Sequence, residues 1–301
     1  MPASADSAAE KNSYYIAGTA FAAPGLAAGL YVVSTPIGNL RDITVRALET
    51  LAAADRVLCE DTRMSSRLLD HYGIRARKEP LHEHNERARS EAIVAAIVGG
   101  EAVALISDAG TPLVSDPGFP LVRAVREAGL AVFAVPGASA LLSALAIAGL
   151  PSDAFCFHGF LPPKQAARSK ALTELASRRE TLVFYESPRR LAATLAAMAE
   201  SFGEAREAAV ALELTKRFER LYRAPLAELA AQFAAEETKG EAVILVAGAP
   251  ETVPAAADWQ AALAAALTEM PLRAAVDQVS GDFGVKRREV YNAALARQRS
   301  S

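Results

Sequence analysis

Residues 107–118 read SDAGTPLVSDPG, with two Asp, two Gly and two Pro directly behind the apolar run 102–106. If that run is a strand of an open α/β sheet, the block lies at its carboxyl end, where loops converge and free backbone N–H groups can take a ligand. Ordinary turns use the same residue types, so composition alone leaves both readings open. Comparable blocks stand behind other apolar runs. They are TPIGNL after 30–34, EDTR after 56–59, PGASA after 130–135, ESPRR after 181–185 and ELTKRFE after 208–212. His82 and His84 in LHEHNE offer a conceivable metal pair, but without further ligand spacing they read as surface or capping groups, and no metal site is assigned. The phosphate-loop pattern G-x-x-x-x-G-K-[ST], the dinucleotide pattern G-x-G-x-x-G and the zinc-protease pattern H-E-x-x-H do not occur, which removes the best support for those chemistries.

The elements that must position these blocks follow from periodicity. Short apolar runs at 30–34, 56–59, 102–106 and 130–135 suit strands covered on both faces. Between them Asp42 would cap a helix with Val45, Leu48 and Leu51 on one face, Thr62 a helix ending at Gly73, and Asn85 a helix burying Ile93, Ala96 and Ile97. Strands alternating with helices imply parallel pairing through right-handed crossovers, with TPIGNL, SDAGTP and PGASA on one sheet edge. Gly149-Leu150-Pro151 interrupts this pattern and is expected to divide an α/β domain, 30–149, from a second, 150–250. The second has strands near 155–157, 181–185, 208–212 and 242–246 and reads as a mixed sheet. From 251 to 301 three short helices form an appendage made basic by Lys286, Arg287, Arg288, Arg297 and Arg299. A helix pair around Gly281-Asp282-Phe283-Gly284 is compatible with nucleic-acid docking, although a solvated face is the commoner meaning of such charges.

Size and composition bound the rest. A chain of 301 residues can hold two ordinary domains, and 51% hydrophobic with 22% charged residues is a globular balance. A net charge of -3 argues against a protein coated with basic residues for nucleic acid, while leaving room for a local basic patch. Cys59 and Cys156 are far apart at apolar positions, so neither a disulfide framework nor a zinc site is indicated and a reducing compartment is expected. No apolar run approaches the roughly 20 residues of a membrane-spanning helix, so no membrane association is expected. Residues 1–29, rich in Ala, Ser and Gly, lack the basic start and apolar core of a secretory signal. They are expected to be a disordered tail in which Tyr14, Tyr15 and Ile16 could dock locally.

Taken in order, VVSTPIGNLRDITVRALETL, CEDTR, LISDAGTPLVSDPG, VPGASA, FYESPRR and LELTKRFE resemble the ribosomal RNA small-subunit methyltransferase I family of the tetrapyrrole methylase superfamily. The blocks span roughly 30–250, and the basic helical tail fits as well. The resemblance implies a two-domain α/β tetrapyrrole methylase-like fold with a small helical appendage, and a cytoplasmic homodimer. It also implies S-adenosyl-L-methionine as cofactor and 2′-O-methylation of a cytidine in the 16S rRNA of the small ribosomal subunit. Corrin-synthesising relatives carry Gly-x-Gly-Pro-Gly-Asp after the first strand and Gly-Asp-Pro after the third, where this chain has STPIGN and SDAGT. That departure favours the RNA branch over a precorrin-type C-methyltransferase; a non-catalytic RNA- or nucleotide-binding module is the third reading.

Carried over by motif, the cofactor contacts are Pro36, Asp108, Gly110, Thr111, Ser139 and Ala140, closed from the second domain by Tyr185, Leu212, Ala247 and Gly248. Leu212 and Ala247 fit a purely core role equally well. A ribose 2′-hydroxyl attacks well only as its proton leaves, so a base or a stabilising cation is needed. Glu60, Asp61, Glu186 and Glu213 are candidate acceptors, and Lys216, Arg63 and Arg189 candidate cations. Lys216 and Glu186 are favoured as catalytic, each in a polar block directly behind a strand, though a local ion pair would explain them too. Lys164, Arg168, Lys170, Arg178, Arg189, Arg190 and the basic C-terminal helix are the candidate RNA contacts, and they should border the cleft if that role is right.

Overall fold

Strand residues alternate between two buried faces, and that alternation builds the layers. The computed structural model describes residues 12–82, 85–236, 238–250 and 256–300. Its first half runs β1 (Ser13–Ile16), β2 (Thr19–Ala22), β3 (Gly29–Val33), α1 (Val45–Ala53), β4 (Arg56–Cys59), α2 (Thr62–His71), β5 (Lys78–Pro80), α3 (Glu86–Val98), β6 (Ala102–Leu105), α4 (Phe119–Glu127), β7 (Val132–Val135) and α5 (Ala140–Ile147). Strands β3 to β7 form a sheet of order β5-β4-β6-β3-β7, every pair parallel. Tyr31, Val33, Val57, Cys59, Ala102 and Ala104 turn to one core with α1 and α2, while Leu30, Leu58, Val103 and Leu105 turn to the other with α3 and α4. Truncating a fully buried leucine here to alanine would cost about 2–5 kcal/mol.

The order of strands matters for function. β3 lies between β6 and β7, so the loops leaving these three parallel strands emerge side by side at one edge.

The second sheet is mixed. After β8 (Phe155–Phe160), α6 (Gln165–Leu175), β9 (Thr181–Glu186), α7 (Pro188–Phe202), β10 (Glu207–Leu212), β11 (Arg220–Pro225), α8 (Leu226–Ala235) and β12 (Ala242–Val246), the order is β11-β10-β12-β9-β8. Only β8 and β9 are parallel; β12 runs antiparallel to both β9 and β10, and β11 pairs antiparallel with β10. Leu182, Phe184, Val210, Ile244 and Val246 face a core with α6, α7 and α8, while Val183, Ala209, Ala211, Val243 and Leu245 pack with Ala144 and Leu145 of α5. Both sheets belong to one compact unit, Met1–Ala249, so residues 149/150 separate two sheets rather than two compact units. The turn there is made by Gly149 at φ +66.

The expected disordered tail is corrected over part of its length. β1 and β2 form an antiparallel hairpin, Tyr14 is buried with Tyr72 and Ile74, and the Tyr15 N–H donates to the Tyr72 carbonyl at 2.8 Å. Residues 1–11 lie outside the described residues. No helix among the described residues is long and apolar enough to cross a membrane, and Cys59 and Cys156 are both free thiols.

The second unit, Pro250–Ser301, consists of α9 (Ala256–Glu269), α10 (Leu272–Phe283) and α11 (Arg287–Ser300). Trp259, Leu263, Val276, Val279 and Val290 form its core. α10 ends at Gly284, φ +63, and a turn of three residues leads to α11 with Lys286, Arg287 and Arg288 exposed at its start. Arg287 is paired with Asp277, and Arg297 donates to the Gln260 carbonyl at 2.7 Å.

Candidate active site

The tips of β3, β6 and β7 are tied together by their own backbones. Thr35 N–H donates to the Gly110 carbonyl at 2.8 Å and Gly110 N–H returns a bond to the Thr35 carbonyl at 3.1 Å. The Ser34 and Thr111 hydroxyls lie 2.9 Å apart, and the Thr111 hydroxyl donates to the Ala138 carbonyl at 3.3 Å. Gly110 has φ +83, and a Cβ there would stand 3.3 Å from Ile37 Cγ2, so a side chain would strain the turn and crowd the bridge. Its N–H is already spent on Thr35, which makes Gly110 a shaper of the loop rather than a donor to a ligand.

These loops form one wall of a cavity of about 390 Å3. Ile37, Asp108 to Thr111, Val114, Asp116, Ser139 and Ala140 line it from the first sheet's side, and Phe160, Tyr185 to Pro188 and Gly240 to Val243 from the second's. The volume falls in the range of small-molecule sites. Asp108, Asp116, Glu186 and Glu241 are among its lining residues, and no Lys, Arg or His is, among those described. An acidic, partly apolar cavity of this kind fits a cationic organic ligand better than a polyanion. Tyr185 braces it: its hydroxyl oxygen accepts the Leu141 N–H at 3.2 Å, its ring meets Phe157 and Phe160 edge-on, and burial raises its pKa.

Of the cofactor residues expected from sequence, Asp108, Gly110, Thr111, Ser139, Ala140 and Tyr185 line this cavity. Pro36 is buried just behind Ile37, which lines it instead. Leu212, Ala247 and Gly248 are elsewhere. Leu212 turns into the core under α7 and α8 and borders a different cavity, of about 330 Å3. Ala247 N–H donates to the Glu207 carbonyl, and a Cβ on Gly248 would stand 1.8 Å from the Arg179 carbonyl oxygen. The reason is strand direction. Because β12 is antiparallel to β9, the carboxyl end of β9 at Glu186 pairs with Ala242 at the start of β12, so Gly240 to Val243 reach the cavity and residues 247–248 lie at the far edge.

Both favoured catalytic residues are held by internal partners. The Glu186 side chain is 1% exposed; it accepts the Ser187 N–H at 2.8 Å and the Thr194 hydroxyl at 2.7 Å, and Arg190 Nε lies 3.3 Å away. With both oxygens engaged, Glu186 anchors the start of α7 and is not placed to receive a substrate proton. Lys216 Nζ pairs with Glu213 at 2.8 Å and Glu241 at 3.1 Å. Burial works to lower its pKa, but these carboxylates outweigh it and raise the pKa, so Lys216 is a fixed cation rather than a base. It is pressed against the first loop, since a Cβ on Gly38 would stand 2.6 Å from Lys216 Cγ. Its loop is strained, with Glu213 and Thr215 at φ 52 and 65, a conformation costing on the order of 1–3 kcal/mol per residue.

Asp61 is tied to Arg63, whose side chain and backbone N–H hold its pKa down to about 2. Asp116 behaves in the opposite way: burial, with Glu60 and Asp108 nearby, pushes its pKa up to about 6 against a hydrogen bond from Ser107. The sequence marks Asp116 only as a turn residue, and its displaced proton affinity comes from burial and from charges that include Glu60, 56 residues away in the chain. His82 bonds with Asn85, while His84 lies outside the described residues.

The basic residues divide. Arg168 is buried and Arg190 donates to the Leu161 and Pro162 carbonyls, so both are structural and are corrected as RNA contacts. Arg178 lies 3.8 Å from Glu180, and Lys164, just before α6, and Lys170, on it, are exposed. Arg189 lines, with Lys239, a groove of about 680 Å3 that shares Ser187, Pro188 and Gly240 with the acidic cavity.

Residues 29–230 match the family described as Tetrapyrrole (Corrin/Porphyrin) Methylases, and residues 253–298 match the RsmI C-terminal HTH domain. The chain is 48% identical over 267 residues to the ribosomal RNA small subunit methyltransferase I of Mesorhizobium japonicum, covering 88% of this chain and 91% of that one. It is 46% identical to the protein of that name from Escherichia coli O157:H7, covering 89% and 95%. Uroporphyrin-III C-methyl transferase from Thermus thermophilus, solved with S-adenyl homocysteine, shares the fold at a TM-score of 0.52 and 20% identity, over 73% of this chain and 97% of that one. The chain thus belongs to the ribosomal RNA small subunit methyltransferase I family within the tetrapyrrole methylases, and it is an S-adenosylmethionine-dependent methyltransferase.

Proposed function

We propose that the protein 2′-O-methylates a cytidine ribose in the 16S rRNA of the small ribosomal subunit, with S-adenosylmethionine held in the acidic cavity. The observation that carries this reading is the convergence of three parallel strand tips with Tyr185 to Pro188 and Gly240 to Val243 around one acidic space. Bound there, S-adenosylmethionine supplies a methyl group already activated by its sulfonium, so the protein's share is binding, orientation and proton removal. Asp108, Ser139 and Thr111 offer polar contacts, while Ile37, Val114, Ala242 and Val243 offer apolar ones. The rings of Phe160 and Tyr185 add apolar surface to the same wall.

RNA phosphates are repelled by that lining but are accommodated at the rim, where Arg189 and Lys239 border the adjoining groove. The exposed Lys286 and Arg288 of the helical unit are further phosphate contacts in this reading. A polycarboxylate tetrapyrrole acceptor would meet the acidic wall without a cation among the lining residues, which favours RNA. The expected homodimer remains part of the proposal, as does a cytoplasmic location at the ribosome. Incubation with labelled S-adenosylmethionine and either undermethylated small subunits or precorrins tests it. Label in a nuclease-resistant ribose-methylated dinucleotide is expected; label in the pigment fraction would sink the reading.

A further inference from the structure

The carboxylates around the cavity are not equivalent. Glu186 has both oxygens occupied, Asp61 is bound by Arg63, and Glu213 and Glu241 share Lys216. Asp108 Oδ1 accepts the Asp61 N–H at 3.2 Å. Asp116 lines the cavity, and among the described residues its facing groups are the Ser107 hydroxyl, the carboxylates of Glu60 and Asp108, and Tyr185, with no Lys, Arg or His in the lining.

The loop that presents Asp116 is built to hold one shape. Leu113 and Ser115 have φ 73 and 66, left-handed conformations that non-glycine residues adopt only when their surroundings impose them. Its end is fixed by the buried Glu86, whose Oε2 accepts the Gly118 N–H at 2.8 Å. On the side of the second sheet, a Cβ on Gly159 would stand 2.9 Å from Ser115 Oγ, so β8 bounds the loop there. An immobilised, half-buried carboxylate with no cation among the described lining residues has the placement a general base needs.

We propose that Asp116 is the proton acceptor for the attacking ribose 2′-hydroxyl, which deepens and rests on the function proposed above. As the oxygen bonds to the methyl carbon, its O–H bond breaks and the proton passes to an Asp116 carboxylate oxygen. The electron pair of the broken carbon–sulfur bond stays on the donor's sulfur, and Asp116 later returns its proton to water. The raised proton affinity makes Asp116 a stronger base than an ordinary carboxylate while leaving it ionised above pH about 6.

The same displacement has a signature in stability, independent of turnover. Asp116 binds its proton more tightly in the folded than in the unfolded chain, so its contribution is favourable below the unfolded value of 3.8 and is lost as pH rises through about 6. Asp116→Asn should therefore melt higher than wild type at pH 8, by about 2–4 °C, with the difference gone near pH 3.5.

The test combines this melt with single-turnover methyl transfer to small subunits at saturating S-adenosylmethionine across pH 5 to 9. Wild type is expected to show a rate rising about tenfold per unit at acid pH and levelling off at or below pH about 6, since a bound sulfonium favours the ionised carboxylate. Asp116→Asn should lose about 100- to 1,000-fold and this acid limb, with cofactor Kd unchanged within about threefold, and Asp116→Glu should restore the limb. Unchanged rate and limb in Asp116→Asn would overturn the role, as would a loss traced wholly to weaker cofactor binding. Wild type that binds cofactor but methylates no ribose overturns the substrate reading and this role together, whereas transfer indifferent to Asp116→Asn overturns this role alone.

Discussion

Glu186 and Asp116 carry the same functional group and line the same cavity, yet their partners set them to different tasks. Glu186 receives two hydrogen bonds and an arginine, so its charge is consumed in holding α7; Asp116 faces the Ser107 hydroxyl and other carboxylates. Asp108 stands between these cases, exposed toward the cavity with one oxygen accepting the Asp61 N–H. Asp108→Ala should raise the Kd for S-adenosylmethionine by about 10- to 100-fold, equivalent to about 1.4–2.8 kcal/mol, measured by calorimetry. Its unfolding free energy should fall by less than about 1 kcal/mol, because the side chain is at the surface. Equal losses in both measurements would identify a structural turn instead of a binding residue.

At the scale of the element, the loop between β10 and β11 depends on a single glycine outside it. Gly240 has φ +93, and a Cβ there would stand 1.9 Å from Glu213 Oε1, the oxygen that accepts from Lys216 and from the Glu241 N–H. Gly240→Ala must displace Glu213, leave Lys216 partly unpaired and release a loop already strained at Glu213 and Thr215. Chemical denaturation should show a loss of about 1–3 kcal/mol, accompanied by a lower methyl-transfer rate because Gly240 and Glu241 both line the cavity. A stable variant with full activity would show that this ion-pair cluster is incidental.

For the whole molecule, net charge -3, the acidic cavity adjoins a groove that carries Arg189 and Lys239 beside Glu236. The affinity for RNA should therefore arise from a few rim cations. Arg189→Ala and Lys239→Ala should each weaken RNA binding in all sequence contexts and reduce the slope of log affinity against log salt by about 1, read from filter binding or fluorescence anisotropy. Cofactor affinity should stay the same in both variants. An unchanged salt slope would mean that RNA is engaged by another surface.

Much of the first half is legible in the sequence itself. Apolar runs separated by capped helices determine a parallel sheet, and the Gly- and Asp-rich blocks behind β3, β6 and β7 had to emerge on one edge, because parallel strands share a direction. The ordered motifs likewise determined the family. Strand direction in the second sheet was a different matter: VILV has the same alternation whichever way it runs, so only the pairing of Ala242 with Glu186 decided that Gly240 to Val243 rather than Ala247 and Gly248 reach the cavity. Tyr14 within an Ala- and Ser-rich tail found its core only through Tyr72 and Ile74. The state of each carboxylate was also left to tertiary structure, because proton affinity is set by burial and by charges that the fold, not the local sequence, brings within a few ångströms.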